Sequence, residues 1–176
     1  DDTPDDGKNN PVWKTIALVG LGAGGHGYFA LDITNPQSPT HLFAIENDPT
    51  NQAVKHWDKD GFKNEFGYAG GSISTNMDYR KLGEAWSTPR IIRIKHSGKD
   101  KWVAVFGAGY NGSVNPNYGS AVFVMDLEDE GRLLQKIDIT DSSSSNIVNS
   151  VPADLTVITA DGTDKANYNG AMVYAA

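Results

Sequence analysis

The residues of this chain whose types and spacing could do chemistry lie mostly beside glycines. Gly20-Leu21-Gly22-Ala23-Gly24-Gly25 follows a short apolar run, Ile16 to Val19, in the G-x-G-x-x-G spacing. In a dinucleotide-binding unit such glycines let the backbone approach a pyrophosphate, and a following helix supplies free N–H groups. Here the next residues, His26-Gly27-Tyr28-Phe29-Ala30-Leu31-Asp32, read as a strand, and Asn35-Pro36 closes the stretch before a helix can form. A second cluster, Gly107-Ala108-Gly109-Tyr110-Asn111-Gly112, leads to Asn115-Pro116, again with no helix. The pattern predicts glycine turns at positive φ where strands cross, in preference to a nucleotide site.

Two stretches carry closely spaced hard oxygens of the kind that calcium takes, about six to eight at a time. One is Asp58-Lys59-Asp60-Gly61 with Glu65 downstream; the other places side-chain oxygens at Thr159, Asp161, Thr163 and Asn167. Each also reads as an Asp-Gly turn at the surface, and in the second most positions of a carboxylate-rich loop hold uncharged oxygens, which lowers the charge available to a cation. Asp32 and Asp126 each end an apolar run before a turn, where a carboxylate more often accepts backbone N–H bonds than holds a ligand. His26, His41, His56 and His96 are scattered, with neither H-x-x-x-H nor H-x-H spacing, which argues against zinc. The absence of cysteine removes thiolate ligands, thiol nucleophiles and disulfides, and no G-x-S-x-G is present. No carboxylate pair is assigned to acid–base work by its spacing. The tryptophans and tyrosines are expected to fill cores and interfaces.

The elements that position these residues repeat. The segment from Trp13 to Asp32 is spoken again from Trp102 to Asp126, with Trp13 matched to Trp102, Gly20 and Gly22 to Gly107 and Gly109, Gly27 to Gly119, and Asp32 to Asp126. Offsets that drift between matched pieces mark strands joined by loops of variable length. Strands are predicted near residues 14–19, 28–33, 41–46, 90–95, 101–106, 120–127, 132–139, 154–159 and 171–175. Val151-Pro152-Ala153 echoes Thr88-Pro89-Arg90 as a strand entry. Residues 47–83 show little periodicity and many turn formers, and read as a long loop and the likeliest contact surface, together with the 108–119 loop. Residues 1–12, polar and acidic, read as a disordered or loop lead-in.

With 176 residues, 39% hydrophobic and 21% charged, the chain is long enough for one globular domain. A net charge of −7 disfavours nucleic acid and anionic membrane, and no apolar run is long enough to span a bilayer. Four-stranded units with glycine-marked turns suit blades of a β-propeller. The chain is expected to be all-β, with residues 13–176 forming a partial propeller: three strands of one blade, four of the next and two of a third. That is too few to close a ring, so the chain reads as a fragment of a larger one.

The ordered motifs GLGAGGHGYFALDITNP, LGEAWSTPRIIRIK, KWVAVFGAGYNGS, SAVFVMDLEDEGRLLQKID and SVPADLTVITADGTDKANYNGAMVYAA resemble the C-terminal domain of the PilC/PilY proteins, which are associated with bacterial type IV pili. The resemblance covers nearly all of the chain after residue 12. It implies a modified seven-bladed propeller related to quinoprotein propellers, and a non-enzymatic role in pilus biogenesis. It also implies a place at the pilus tip, the cell surface or the outer membrane, and action in adhesion and twitching motility, with minor pilins and a host-surface receptor as partners. In relatives, the loop after the V-P-A-D-L motif holds calcium that regulates the pilus. Carried over, that site would use Thr159, Asp161, Thr163 and Asn167, with Asp164 adjacent, and only Asp161 of the four spaced positions keeps its carboxylate. A quinoprotein-like dehydrogenase is the alternative, but after Ala30-Leu31-Asp32-Ile33-Thr34 comes Asn35-Pro36 where the tryptophan-docking pattern A-x-D-x-x-T-G-K-x-x-W needs Gly-Lys and then Trp. A carbohydrate-binding propeller is a third, weaker reading.

Overall fold

The computed structural model describes residues 13–69, 73–111, 118–139, 150–159 and 171–175. The described residues form three antiparallel sheets and almost no helix, the all-β blade architecture that the sequence predicts. The first sheet orders β1 (Ile16–Gly20), β2 (Gly27–Asp32), β3 (Thr40–Asp48), β4 (Ala53–Trp57) and β5 (Lys63–Gly67) consecutively. The second orders β6 (Arg90–His96), β7 (Lys99–Gly107), β8 (Ala121–Asp126) and β9 (Leu133–Asp138), and the third pairs β10 (Thr156–Thr159) with β11 (Ala171–Tyr174).

The long loop expected over 47–83 is therefore corrected. Residues 53–67 are a β-hairpin that extends the first sheet to five strands, where three were expected. Its tip is Asp58 to Phe62: the Asp58 carboxylate accepts the N–H groups of Asp60 and Phe62 at 3.0 and 2.9 Å, and Gly61 sits at φ 80°. The later part of the segment is core. Met77, Tyr79 and Leu82 are fully buried, and a 3₁₀ turn at Thr75–Met77 leads into them. Apolar residues at 77, 79 and 82 follow neither a helical nor a strand period, so the sequence hides their burial.

The second sheet is buried on both faces, which is why its β7 and β8 are nearly continuous apolar runs. Ala104, Phe106, Phe123 and Met125 face the first sheet and pack with Tyr28, Phe43, Ile45 and Tyr79. Val103, Val105 and Val122 face the other way and pack with Leu155, Val157 and Val173 around the third sheet. Face-to-face stacking of small twisted sheets is how propeller blades share their cores.

Hydrogen bonds fix how the units correspond. Ile16 opposes Asp32 as Val103 opposes Asp126, and each second strand carries a bulge at the matching place, after Ala30 and after Val124. Gly22 accepts no helix behind it; its N–H donates to Ala85 O, and Ala85 N–H donates to Gly25 O. Gly109, Val151 and Gly119 make the same pair of bonds. The first strands therefore match at an offset of 87 and the second strands at 94, from the registers just given. Three sequence pairings shift accordingly: Trp102 corresponds to Thr15 and not Trp13, Gly119 to Gly25 and not Gly27, and Pro152 to Trp86 and not Pro89. Conspicuous residue types drew the alignment away from the backbone register.

Residues 78–82 bind the first two sheets together. Asn47 on β3 donates from Nδ2 to Leu82 O at 2.7 Å, and Tyr79 donates its hydroxyl to Gly131 O at 2.7 Å. Asp78 accepts from Arg80 at 2.7 and 2.9 Å and from Lys136 on β9 at 2.5 Å. Burial works to raise the Asp78 pKa, but the bonds from Arg80 and Lys136 outweigh it and hold it at about 2. A depressed folded pKa means that the unfolded chain binds more protons, so this stabilisation is complete above the ordinary value of 3.8 and is lost as pH falls through about 2. With a partly exposed partner in Arg80, screening reduces the contribution to about 1 kcal/mol. Asp78→Asn is expected to lower stability by about that much at pH 7 and to flatten the acid limb between roughly pH 4 and 2, read from urea midpoints across pH.

Candidate functional site

The glycine turns gather on one rim of the sheet stack, and what they do there is structural. Gly22 (φ 57°) and Gly109 (φ 88°) adopt the left-handed backbone that side chains resist, and each spends its N–H on the next unit. Strands β2 and β8 are the next described elements, and among the described residues no helix N-terminus faces either turn. A pyrophosphate cradle needs free N–H groups, and these are used.

The acidic residues that end the second strands fix turns. Asp32 accepts from Thr34 N–H at 3.0 Å and pairs with Lys14 at 3.2 Å; Asp126 accepts from Glu128 N–H at 2.9 Å and pairs with Lys101 at 2.6 Å. The hydrogen bonds from Thr34, with Lys14 adding to them against a small burial penalty, lower the Asp32 pKa. The same Lys–Asp lock thus recurs in both units. Asp58 spends its carboxylate on the hairpin tip, Asp60 pairs with Lys59 at 2.6 Å, and Glu65 is met by Lys63 at 3.3 Å. Among the described residues no group of three or more His, Asp or Glu side chains is placed to hold a metal ion.

Of the second calcium candidate, Thr159 ends β10, and Asp161, Thr163, Asp164 and Asn167 lie outside the described residues. The histidines are not brought together. His26 stacks on Tyr118 at 5.2 Å between ring centroids, and buried His56 donates from Nε2 to Glu130 O at 2.8 Å, tying β4 to the second sheet.

The aromatic residues divide differently from expectation. Tyr28 and Tyr79 are core residues whose hydroxyl pKa values burial pushes up, and Tyr28 donates its hydroxyl to Ser87 O at 2.7 Å. Three tryptophans, however, lie at the surface: Trp13, Trp86 and Trp102. On the glycine rim, Trp86 is 53% exposed and Tyr110 46%, and Leu21 lies exposed there too. They are held by short backbone ties, since Glu84 and Tyr110 exchange N–H···O bonds at 2.7 and 3.0 Å. Trp86 donates its indole N–H to Glu84 Oε2 at 2.9 Å, and its ring lies over Gly22. The result is a rigid apolar patch with one carboxylate. The sequence did not single out Trp86; its only signal is a tryptophan next to the Ser87-Thr88-Pro89 strand entry, where a core residue is not needed. The 108–119 loop contributes Tyr110 to this patch, whereas in the 47–83 segment the large apolar residue exposed is Phe62, 70% exposed at the hairpin tip, among the described residues.

A family model described as PilY1 beta-propeller domain matches residues 3–173. The type IV pilus biogenesis factor PilY1 of Pseudomonas aeruginosa strain UCBPP-PA14 is 32% identical over 128 residues, covering 73% of this chain and 8% of that protein. The homolog of Xylella fastidiosa strain Temecula1 is 28% identical over 160 residues, covering 90% of this chain and 8% of its own length. The chain thus spans about 8% of the length of these curated relatives. No solved structure matches.

Proposed function

Since the chain belongs to the PilY1 β-propeller family, we propose that it serves type IV pilus biogenesis as a non-catalytic contact module on the cell surface, at the pilus tip or in the outer membrane. The observation that carries this reading is the rim patch. Trp86 and Tyr110 are exposed yet held in place by the Glu84–Tyr110 backbone bridge, as a preorganised contact surface requires. Its partner in this reading is a minor pilin, with adhesion to a host-surface receptor and twitching motility as downstream roles of the assembled protein. Calcium held by the loop from Thr159 to Asn167, through Asp161 and its neighbours, would regulate that contact; the loop's few carboxylates suit a weak site.

Capture of minor pilins on the full-length protein tests this reading. The native protein is expected to retain them, and Trp86→Ala with Tyr110→Ala to reduce retention at least tenfold with circular dichroism unchanged. Failure of the native protein to retain any minor pilin, with or without calcium, ends the reading. Calcium-independent retention that Asp161→Ala leaves untouched removes the calcium arm alone.

A further inference from the structure

Glu84 carries a charge that the fold does not use. Its backbone makes the antiparallel bridge with Tyr110, a task open to any residue with an N–H. Its carboxylate accepts the Trp86 indole N–H through Oε2, and among the described residues neither oxygen meets a Lys, Arg or His. Other carboxylates near the sheet junctions are engaged. Asp32 pairs with Lys14, Asp78 with Arg80 and Lys136, and Asp126 with Lys101, while Asp154 accepts Thr88 N–H at 2.7 Å.

Two aromatic side chains accompany this carboxylate. Residues opposed across an antiparallel bridge project to the same face, with Cβ atoms about 4.5–5.5 Å apart, so Tyr110 stands beside Glu84. Trp86 is tied to the same carboxylate by its indole N–H at 2.9 Å. Both rings are open to solvent, and Gly22 brings no side chain against the indole.

A partner that covers these rings also strips water from Glu84. An ionised carboxylate that loses its water without gaining a counter-charge costs more than the apolar contact returns. The docking surface must therefore bring a cation, and the net charge of −7 favours the approach of a basic surface. Of the two basic side chains, arginine fits better. Its guanidinium is weakly hydrated, stacks flat on an aromatic face and donates in its own plane to a carboxylate. The ammonium of lysine is a compact, strongly hydrated point charge.

We infer that the rim patch receives an arginine side chain of the docking protein, its guanidinium against Trp86 and Tyr110 and its charge balanced by Glu84. Oε1, which the indole bond leaves free, is the acceptor. This deepens the contact reading of the patch, on which it rests, by naming the group that the partner brings.

The full-length protein labelled with 5-fluorotryptophan tests it, with the Trp86 resonance identified by its loss in Trp86→Phe. Nα-acetylarginine methylamide is expected to move that resonance saturably, with at least tenfold tighter apparent binding than its citrulline or lysine analogue. Citrulline keeps the shape of arginine and lacks its charge. Glu84→Gln, whose amide oxygen still accepts the indole N–H, is expected to abolish the difference between arginine and citrulline. In minor-pilin capture the same variant is expected to lower retention at least tenfold with circular dichroism unchanged. Equal responses to arginine and citrulline, or to arginine and lysine, overturn the inference, as does an arginine response that Glu84→Gln leaves intact. Pilin retention that Glu84→Gln leaves unchanged, but that Trp86→Ala with Tyr110→Ala removes, also overturns it while the pilus reading stands. A native protein that retains no pilin ends the pilus reading, and the fluorine titration, which needs no pilin, still decides for or against arginine recognition.

Discussion

Phe106→Ala is expected to lower the stability of the chain by about 4 kcal/mol, the largest loss of any single truncation proposed for it. Phe106 is fully buried at the centre of the seam between the first two sheets. Its ring lies 4.4 Å from Tyr28 and 5.7 Å from Phe123, both tilted by nearly half a right angle. Truncation removes the transfer free energy of the ring and leaves a cavity walled by strands on both sides, which cannot collapse without moving a sheet. Tilted aromatic pairs add roughly 0.5–1.5 kcal/mol beyond area. Urea unfolding is the measurement: the midpoint should fall with little change in slope. Val19→Ala, on the outer face of the first sheet and 40% exposed, should cost under about 0.5 kcal/mol. A loss below about 1 kcal/mol for Phe106→Ala would mean that the two sheets do not share a core.

That seam was legible in the sequence because both of its sides are. Strands β7 and β8 are buried on two faces, so Trp102 to Phe106 and Ala121 to Met125 read as apolar runs whatever the register. The β4–β5 hairpin was not legible. It extends a sheet, carries Lys63, Asn64, Glu65 and Gly67 in β5, and is held by pairing with its neighbours more than by its own residue preferences. Tyr79 was hidden differently: its burial depends on the turn at Gly131, which lies 52 residues away in sequence. The glycine turns at Gly22 and Gly109 are legible as turns, since both sit at positive φ and the next elements among the described residues are the strands β2 and β8. Their pairing was read two residues out at Gly27, because the second loop is seven residues longer and only the bond to Ala85 or Val151 marks the true counterpart. On the candidate contact rim, Tyr110 was reachable from its loop, whereas Trp86 was not, because nothing in a lone tryptophan says which way it faces.

The glycines of that rim allow a paired experiment in which one substitution controls for the other. Gly109→Ala is expected to cost about 3 kcal/mol and Gly22→Ala about 1 kcal/mol. The two occupy equivalent places, both at positive φ, and both donate to the following unit. A methyl group at either meets the same backbone penalty. They differ in what it would touch. At Gly22 the nearest atoms are ring carbons of Trp86 at 3.9 Å, an ordinary contact. At Gly109 a Cβ would overlap the carbonyl oxygen of Glu84, which is fixed because it accepts from Tyr110 N–H at 3.0 Å. To make room, either that bond or the Gly109 N–H bond to Val151 O must open, and both belong to isolated bridges that tie segments outside the strands. Buried backbone groups left unpaired cost about 1–3 kcal/mol, which is the source of the extra loss. Denaturant midpoints measure both variants. If Gly109→Ala costs no more than Gly22→Ala, the close approach of Glu84 is not what demands glycine there. If instead the larger loss appears and Gly109→Ala also weakens pilin retention more than Gly22→Ala does, the Glu84–Tyr110 bridge is holding the aromatic patch in its binding geometry, because the overlap displaces the Glu84 carbonyl to which the Tyr110 N–H donates.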